Sequence, residues 1–194
     1  MKSNPAIFLD RDGVLVEDVD LLIDATQIQI MDGLPAALQN LKLAGYKLII
    51  VSNQPIIARG LLTVPDVLAL QKEVGRLLME AGAPQLDAFY FCPHHPNATL
   101  PIYRVDCDCR KPKPGMLLRA AQEHRIEVAY SFMIGDRITD IIAGARAGCK
   151  TILVQTGKHL APFIQTNELL DTTIQPDFTC FDLPTAVTRI LETR

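Results

Sequence analysis

Ala6-Ile7-Phe8-Leu9-Asp10-Arg11-Asp12-Gly13-Val14 is the stretch around which the rest of the chain is organised. Four apolar residues in a row suit a strand buried on both faces of a parallel sheet. The run ends abruptly in two aspartates two positions apart, followed by a glycine. Charge at the end of a buried strand is costly unless that end opens into a site. In open α/β sheets, ligands bind just beyond the carboxyl ends of the strands. Asp-Gly is also a common turn pair, so on this stretch alone a plain strand end and turn explains the pattern equally well. Three stretches downstream decide.

Composition sets the bounds. At 194 residues, one α/β domain spanning 1–194 with a normal core is expected. With 48% hydrophobic and 21% charged residues the chain is globular rather than disordered. The net charge of −3 gives no sign of a binder of nucleic acid or membrane surfaces. Met1-Lys2-Ser3-Asn4-Pro5 carries no signal pattern, and no apolar stretch approaches the roughly 20 residues needed to span a bilayer. A cytoplasmic monomer is expected, with reduced cysteines, so the five cysteines favour metal ligation over disulfides.

The opening pattern repeats along the chain. Gly33-Leu34-Pro35 opens a helix with Leu34, Leu38 and Leu41 on one face, and Gly45 stops it. A second buried strand at 48–51 runs into Ser52-Asn53-Gln54. Residues 65–81 predict a helix with Val67, Leu70, Val74, Leu77 and Leu78 as its apolar stripe. A strand at 86–91 runs into Cys92, and 93–113 form a long loop rich in Pro, Cys, His and charge; loops of that length are usually functional or disordered. A helix at 114–125, a strand at 132–134 ending in Gly135-Asp136, a helix at 138–147 and a strand at 151–154 follow. Shorter elements close the sheet. Alternating strands and helices predict a three-layer, mostly parallel Rossmann-like sheet covered on both faces.

Four polar groups thus follow apolar strands: Asp10/Asp12, Ser52/Asn53, Arg110/Lys111 beyond the long loop, and Asp136/Asp140. In a parallel sheet the carboxyl ends share one edge, so these groups can converge. Carboxylates, a hydroxyl and a lysine are what metal-assisted phosphoryl transfer needs. Mg²⁺ takes oxygen ligands, which Asp10 and Asp136 can supply. A carboxylate can also attack phosphorus to form an aspartyl-phosphate, and Ser52 and Lys111 suit the phosphoryl oxygens.

Asp10-Arg11-Asp12-Gly13-Val14, Ser52, Lys111 and Gly135-Asp136-x-x-x-Asp140 resemble, in order, the four motifs of haloacid-dehalogenase-superfamily phosphatases. The resemblance implies that Asp10 is the nucleophile and binds Mg²⁺. It implies that Asp12 protonates the leaving oxygen, then activates water, while its backbone carbonyl binds the metal. Ser52 would hydrogen-bond the phosphoryl group, Lys111 would neutralise it, and Asp136 would hold Mg²⁺. Asp140 would support the site through hydrogen bonds. The gaps between motifs leave no room for the cap domain that many of these phosphatases carry.

The loop at 92–109 is the candidate substitute. Cys92-Pro93-His94 and, after twelve residues, Cys107-Asp108-Cys109 supply three sulfurs and one nitrogen, a tetrahedral set for a structural Zn²⁺. Such a site would pin a loop with too few apolar residues to fold alone and place Arg110 and Lys111 at the phosphate edge. Arg110 suits bidentate binding of a second anionic group. Cys149 and Cys180 are expected in the core, and His95 away from the zinc.

Cys-Pro-His-His-Pro with Cys-Asp-Cys-Arg-Lys-Pro-x-Pro-Gly-Met resembles the D-glycero-D-manno-heptose-1,7-bisphosphate 7-phosphatase family, whose role is in activated-heptose biosynthesis for lipopolysaccharide core or surface-layer glycans. The related histidinol-phosphate phosphatases usually have a much shorter loop between the two ligand pairs. A small phosphorylated sugar is the implied partner, with Arg11, Asn53, Gln54, Arg104, Arg110 and Arg137 as substrate contacts. Two segments depart from the family pattern. Val16 and Leu21 stand where it usually has Asn and Tyr, and Pro55-Ile56 where it has Ser-Gly. Both segments are expected to touch the sugar, and Pro55 should stiffen its loop. The alternatives are histidinol-phosphate phosphatase, a zinc-ribbon module that meets RNA or protein, and a silent paralogue. The acidic charge argues against the ribbon module, and the intact catalytic set argues against both it and the paralogue.

Overall fold

In the computed structural model, which describes residues 4–160 and 173–193, the opening apolar run is strand β1 (Ala6–Leu9), buried at every position. It lies in the middle of a six-stranded sheet. The other strands are β2 (Lys47–Asn53), β3 (Ala88–Cys92), β4 (Phe132–Gly135), β5 (Lys150–Val154) and β6 (Phe178–Cys180), in the order β3-β2-β1-β4-β5-β6. Every pairing is parallel. Ile7 sits between Leu48 on one side and Phe132 on the other.

The side chains of β1 divide between two cores, as the period-two geometry of a strand requires. Ile7 and Leu9, with Leu48 and Ile50, pack against helices α1 (Leu34–Leu43), α3 (Val64–Glu80) and α6 (Leu183–Glu192). Ala6 and Phe8, with Ile49 and Val51, pack against α4 (Gly115–His124) and α5 (Ile138–Ala147). This is the three-layer arrangement expected. Cys149 is buried in the second core, and Cys180, half-buried in β6, packs on the first.

Several boundaries differ from expectation. β2 continues two residues past its apolar run, so Ser52 and Asn53 lie inside the strand, held by pairing to Phe91 and Cys92. β3 starts at Ala88, two residues later than the pattern predicts. Pro55–Ala58 forms a short helix, α2, on the other side of Gln54. Part of the segment expected to hold further short elements, 161–172, lies outside the described residues.

Strand order reverses at β1. The next strand in sequence, β2, lies on one side and β4 on the other, and the crevice beyond their carboxyl ends is the usual ligand site of an open α/β sheet. Asp10 sits at its floor, with its backbone N–H donating to the Ile134 carbonyl at 3.0 Å.

Candidate active site

Asp10 leaves β1, Asp136 follows β4, and Asp140 stands on the first turn of α5. A carboxylate oxygen from each of these buried aspartates lies within 4.8 Å of the others. Lys111 reaches the same point from the far end of the long loop. Its ammonium lies 2.6 Å from Asp140, 3.0 Å from Asp10 and 2.8 Å from the Val51 carbonyl. Burial works against the Lys111 charge, but Asp10 and Asp140 outweigh it and raise the pKa. Asp140 has a second task. Its other oxygen accepts from the Arg137 N–H at 3.0 Å and caps α5.

The balance of charge is incomplete. One lysine faces three buried carboxylates, and Asp136 Oδ1 is buried without a partner. Burial, with Asp140 and Asp10 beside it, pushes Asp136 up to about 7, and Asp140 is raised mainly by burial. An oxygen cluster with surplus negative charge fits a hard divalent cation. The surroundings are shaped for close approach. Gly13 has φ +78°, and a side chain there would meet Asp136 Oδ2 at 2.7 Å.

Asp12 faces away from this cluster into the cleft. Its carboxylate accepts from Arg11 Nε and Nη2, each at 2.9 Å, and from Gln54 Nε2 at 3.3 Å. Gln54 also donates to Ser52 Oγ at 2.9 Å. Asn53 is committed to the backbone of Lys111, donating to its carbonyl at 3.0 Å and accepting from its N–H at 3.1 Å. This reciprocal pair locks the long loop onto β2.

The cysteine–histidine set is brought together as expected. Cys92 Sγ lies 3.5 Å from Cys107 Sγ and 3.1 Å from Cys109 Sγ, and His94 Nδ1 lies 3.5 Å from Cys109 Sγ. All four ligand atoms fall within 4.8 Å of one another, and all five cysteines of the chain are free. The contact between the two thiols lowers Cys109 to about 5 and raises Cys92. Thiols this crowded ionise together only around a cation, so the cluster can hold a metal. Arg110, next in sequence, donates to the His94 carbonyl at 3.1 Å.

Asp10, Asp12, Ser52, Gln54, Arg110, Lys111 and Asp140 line an open cleft of about 560 Å³. The family model described as "HAD-hyrolase-like" matches residues 108–186. The chain is 47% identical over 156 residues to D-glycero-beta-D-manno-heptose-1,7-bisphosphate 7-phosphatase of Pasteurella multocida, covering 80% of this chain and 84% of that protein. The enzyme of the same name from Escherichia coli K12 is 41% identical, covering 83% and 84%. The chain belongs to the haloacid-dehalogenase-like phosphatases. Enzymes of that superfamily hydrolyse phosphate monoesters and use Mg²⁺. In structure, a D,D-heptose 1,7-bisphosphate phosphatase from B. bronchiseptica, crystallised with magnesium and phosphate, superimposes with a TM-score of 0.80 at 29% identity, covering 98% of this chain and 99% of that one.

Within this haloacid-dehalogenase-like fold, Asp10, Arg11, Asp12, Ser52, Asn53, Gln54, Arg110, Lys111 and Arg137 all line the cleft. Arg104 does not. It is exposed, and its guanidinium donates to the Ala98 carbonyl at 2.7 Å, bracing the zinc-type loop. Val16 is also misplaced by the sequence reading. It is buried in the core under β1, with bridges to Asp12 and Ile30, whereas Leu21, Pro55 and Ile56 do face the cleft.

Among the charged and titratable side chains of the cleft, five escaped the sequence reading: Asp18, Asp20, Arg59, His95 and Lys158. Lys158 had a signal, because Val154 is followed by Gln155-Thr156-Gly157-Lys158, the same apolar-to-polar switch as at the other strand ends. Its N–H donates to Asp136 Oδ2 at 2.6 Å. Its ammonium pairs with Asp18 at 3.0 Å and with Asp20, and Arg137 joins Asp18 at 3.1 Å. Elsewhere in the cleft Arg59 and Arg110 gather positive charge around His95. Burial and both arginines lower the His95 pKa, and the Arg110 Nε is buried without a partner.

Proposed function

We propose that the chain is a Mg²⁺-dependent phosphatase that removes the 7-phosphate of D-glycero-β-D-manno-heptose 1,7-bisphosphate through an aspartyl-phosphate. The observation that carries this is the buried Asp10–Lys111–Asp140 group beside Asp136, at the reversal point of the sheet. It supplies a nucleophile, a fixed cation and surplus carboxylate charge at one place. The 41–47% identity to enzymes named for this substrate supports the choice of sugar.

Asp10 attacks phosphorus, forming its own bond to phosphorus as the ester bond breaks. Lys111, held rigidly by two carboxylates and a carbonyl, faces the charge on the phosphoryl oxygens, and the Ser52 hydroxyl adds a hydrogen bond. Asp12 gives its proton to the departing sugar oxygen. It then takes a proton from the water that hydrolyses the Asp10 phosphate, which restores it for the next cycle. Asp10, Asp136 and the Asp12 carbonyl are the groups that would hold Mg²⁺, which when bound draws charge from the phosphoryl oxygens. Cys92, His94, Cys107 and Cys109 would hold a structural Zn²⁺. The second phosphate is assigned to the cluster of Arg59, His95 and Arg110 in the cleft.

Replacing Asp10 by Asn tests the nucleophile. Turnover is expected to vanish while the fold and zinc content stay unchanged; retained activity would overturn the assignment.

A further inference from the structure

Arg11 lies between the two aspartates of the opening motif, where a substrate contact is the simplest expectation. Its surroundings argue for a different task. The residue is only 2% exposed and is the largest fully buried side chain among the described residues. A buried guanidinium needs a partner for its charge; Nη1 of Arg11 is buried without a hydrogen-bond partner, and the other two nitrogens carry the pairing. Two of its nitrogens form a fork on the carboxylate of the next residue, Nε to Asp12 Oδ1 and Nη2 to Asp12 Oδ2, each at 2.9 Å. Fork pairing of this kind fixes orientation as well as distance.

The fork is itself braced. Nη2 also donates to Gln54 Oε1 at 3.2 Å, and Gln54 Nε2 returns to Asp12 Oδ2 at 3.3 Å and to Ser52 Oγ at 2.9 Å. Arg11, Gln54 and Asp12 therefore close a ring that joins the end of β1 to the end of β2. Asp12, with a side chain 29% exposed, is the member that meets the cleft. Left to itself, an aspartate in a turn at a cleft mouth would sample several rotamers. Three donors hold it in one.

We infer that Arg11 is a positioning residue that acts through Asp12, aiming its carboxyl at the leaving oxygen of the substrate, and is not a substrate ligand. This rests on the proposed role of Asp12 as proton donor and acceptor. In the first step the Asp12 proton passes to the bridging ester oxygen as the phosphorus–oxygen bond breaks and the Asp10 bond to phosphorus forms. In the second, water bonds to phosphorus, the Asp10 bond breaks, and the water proton returns to Asp12. Arg11 changes neither balance. It sets the angle at which the proton is delivered, and proton delivery is sensitive to small displacement.

The test uses the purified full chain with magnesium and two substrates: an alkyl ester (the sugar bisphosphate) and p-nitrophenyl phosphate, whose leaving group departs without a proton. Arg11→Lys keeps the buried charge and removes the fork. Read on the first step alone, as leaving-group release in a single turnover, it is expected to slow release from the alkyl ester by about 10- to 100-fold while KM, and first-turnover release from the aryl ester, stay within about twofold. Gln54→Ala, which removes one brace and leaves the fork, should show the same selectivity to a smaller degree. In an Asp12→Asn background Arg11→Lys should cost nothing further, because the two act as one unit.

Equal first-turnover losses on both esters, a rise in KM with kcat kept, or additive losses in the double variant would overturn the inference. Asp12→Asn alone separates this from the reading beneath it. If that variant slows first-turnover release from the alkyl and aryl esters equally, the acid role of Asp12 fails. If it is selective and the Arg11 and Gln54 variants are not, only the positioning role fails.

Discussion

Lys111 shows how one residue joins stability to chemistry. Its ammonium is 1% exposed and lies against Asp10 and Asp140, so removing it leaves two buried carboxylates without their cation. Breaking a buried pair from one side costs about 3–5 kcal/mol. Lys111→Met should therefore lower the stability of the metal-free protein by about 3–5 kcal/mol in urea titrations. A loss under about 1 kcal/mol would mean that the pair is not buried as described. The residues legible in the sequence were those that broke an apolar pattern, namely Asp10, Ser52 and Asp136. His95 and Asp18 stand in polar stretches, where one more charge carries no local signal, and Arg59 follows a short helix rather than a strand. Arg104 illustrates the opposite error, since an arginine in a functional loop is as readily a brace for that loop as a ligand.

At the level of elements, the connection from β3 to α4 decides what the cleft can hold. Cys92 closes β3 in register with Asn53 of β2, and the Asn53 amide clasps the backbone of Lys111. Arg110 is tied to the His94 carbonyl. The metal-type cluster thus ends one residue before Arg110 and two before Lys111. Cys107→Ser is expected to abolish zinc content and lower kcat by about 10- to 100-fold through displacement of Arg110 and Lys111. Circular dichroism should show the sheet retained. Full activity without zinc would show that the loop holds its shape unaided.

The elements themselves were readable because β1, β2, β4 and β5 are buried on both faces and need unbroken apolar runs. The late start of β3 was not. Leu86 is apolar and packs on the core, but the ladder with β2 begins only opposite Ala88. Val16 was misread for a related reason. The turn at Gly13 bends the chain back, so a residue three positions beyond the motif points into the core rather than into the cleft.

Taken whole, the molecule is a sheet whose loops contribute two charged clusters to the cleft: Arg59, His95 and Arg110, and Asp18 and Asp20 pinned by Lys158 and Arg137. A cleft of about 560 Å³ is in the range of small-ligand sites. No helix among the described residues is long and apolar enough to cross a membrane. The chemistry was legible from residue types at strand ends. The choice of sugar was not, because it depends on loop side chains that converge only in three dimensions.

The central claim, hydrolysis of a heptose bisphosphate at a magnesium-dependent aspartate site, is tested most directly by phosphate release from D-glycero-β-D-manno-heptose 1,7-bisphosphate beside histidinol phosphate, with Mg²⁺ present and then chelated. The expected result is a kcat/KM at least about 100-fold higher for the heptose bisphosphate, lost on chelation and restored by Mg²⁺. Equal or better turnover of histidinol phosphate, or phosphate release that persists without the metal, would contradict it.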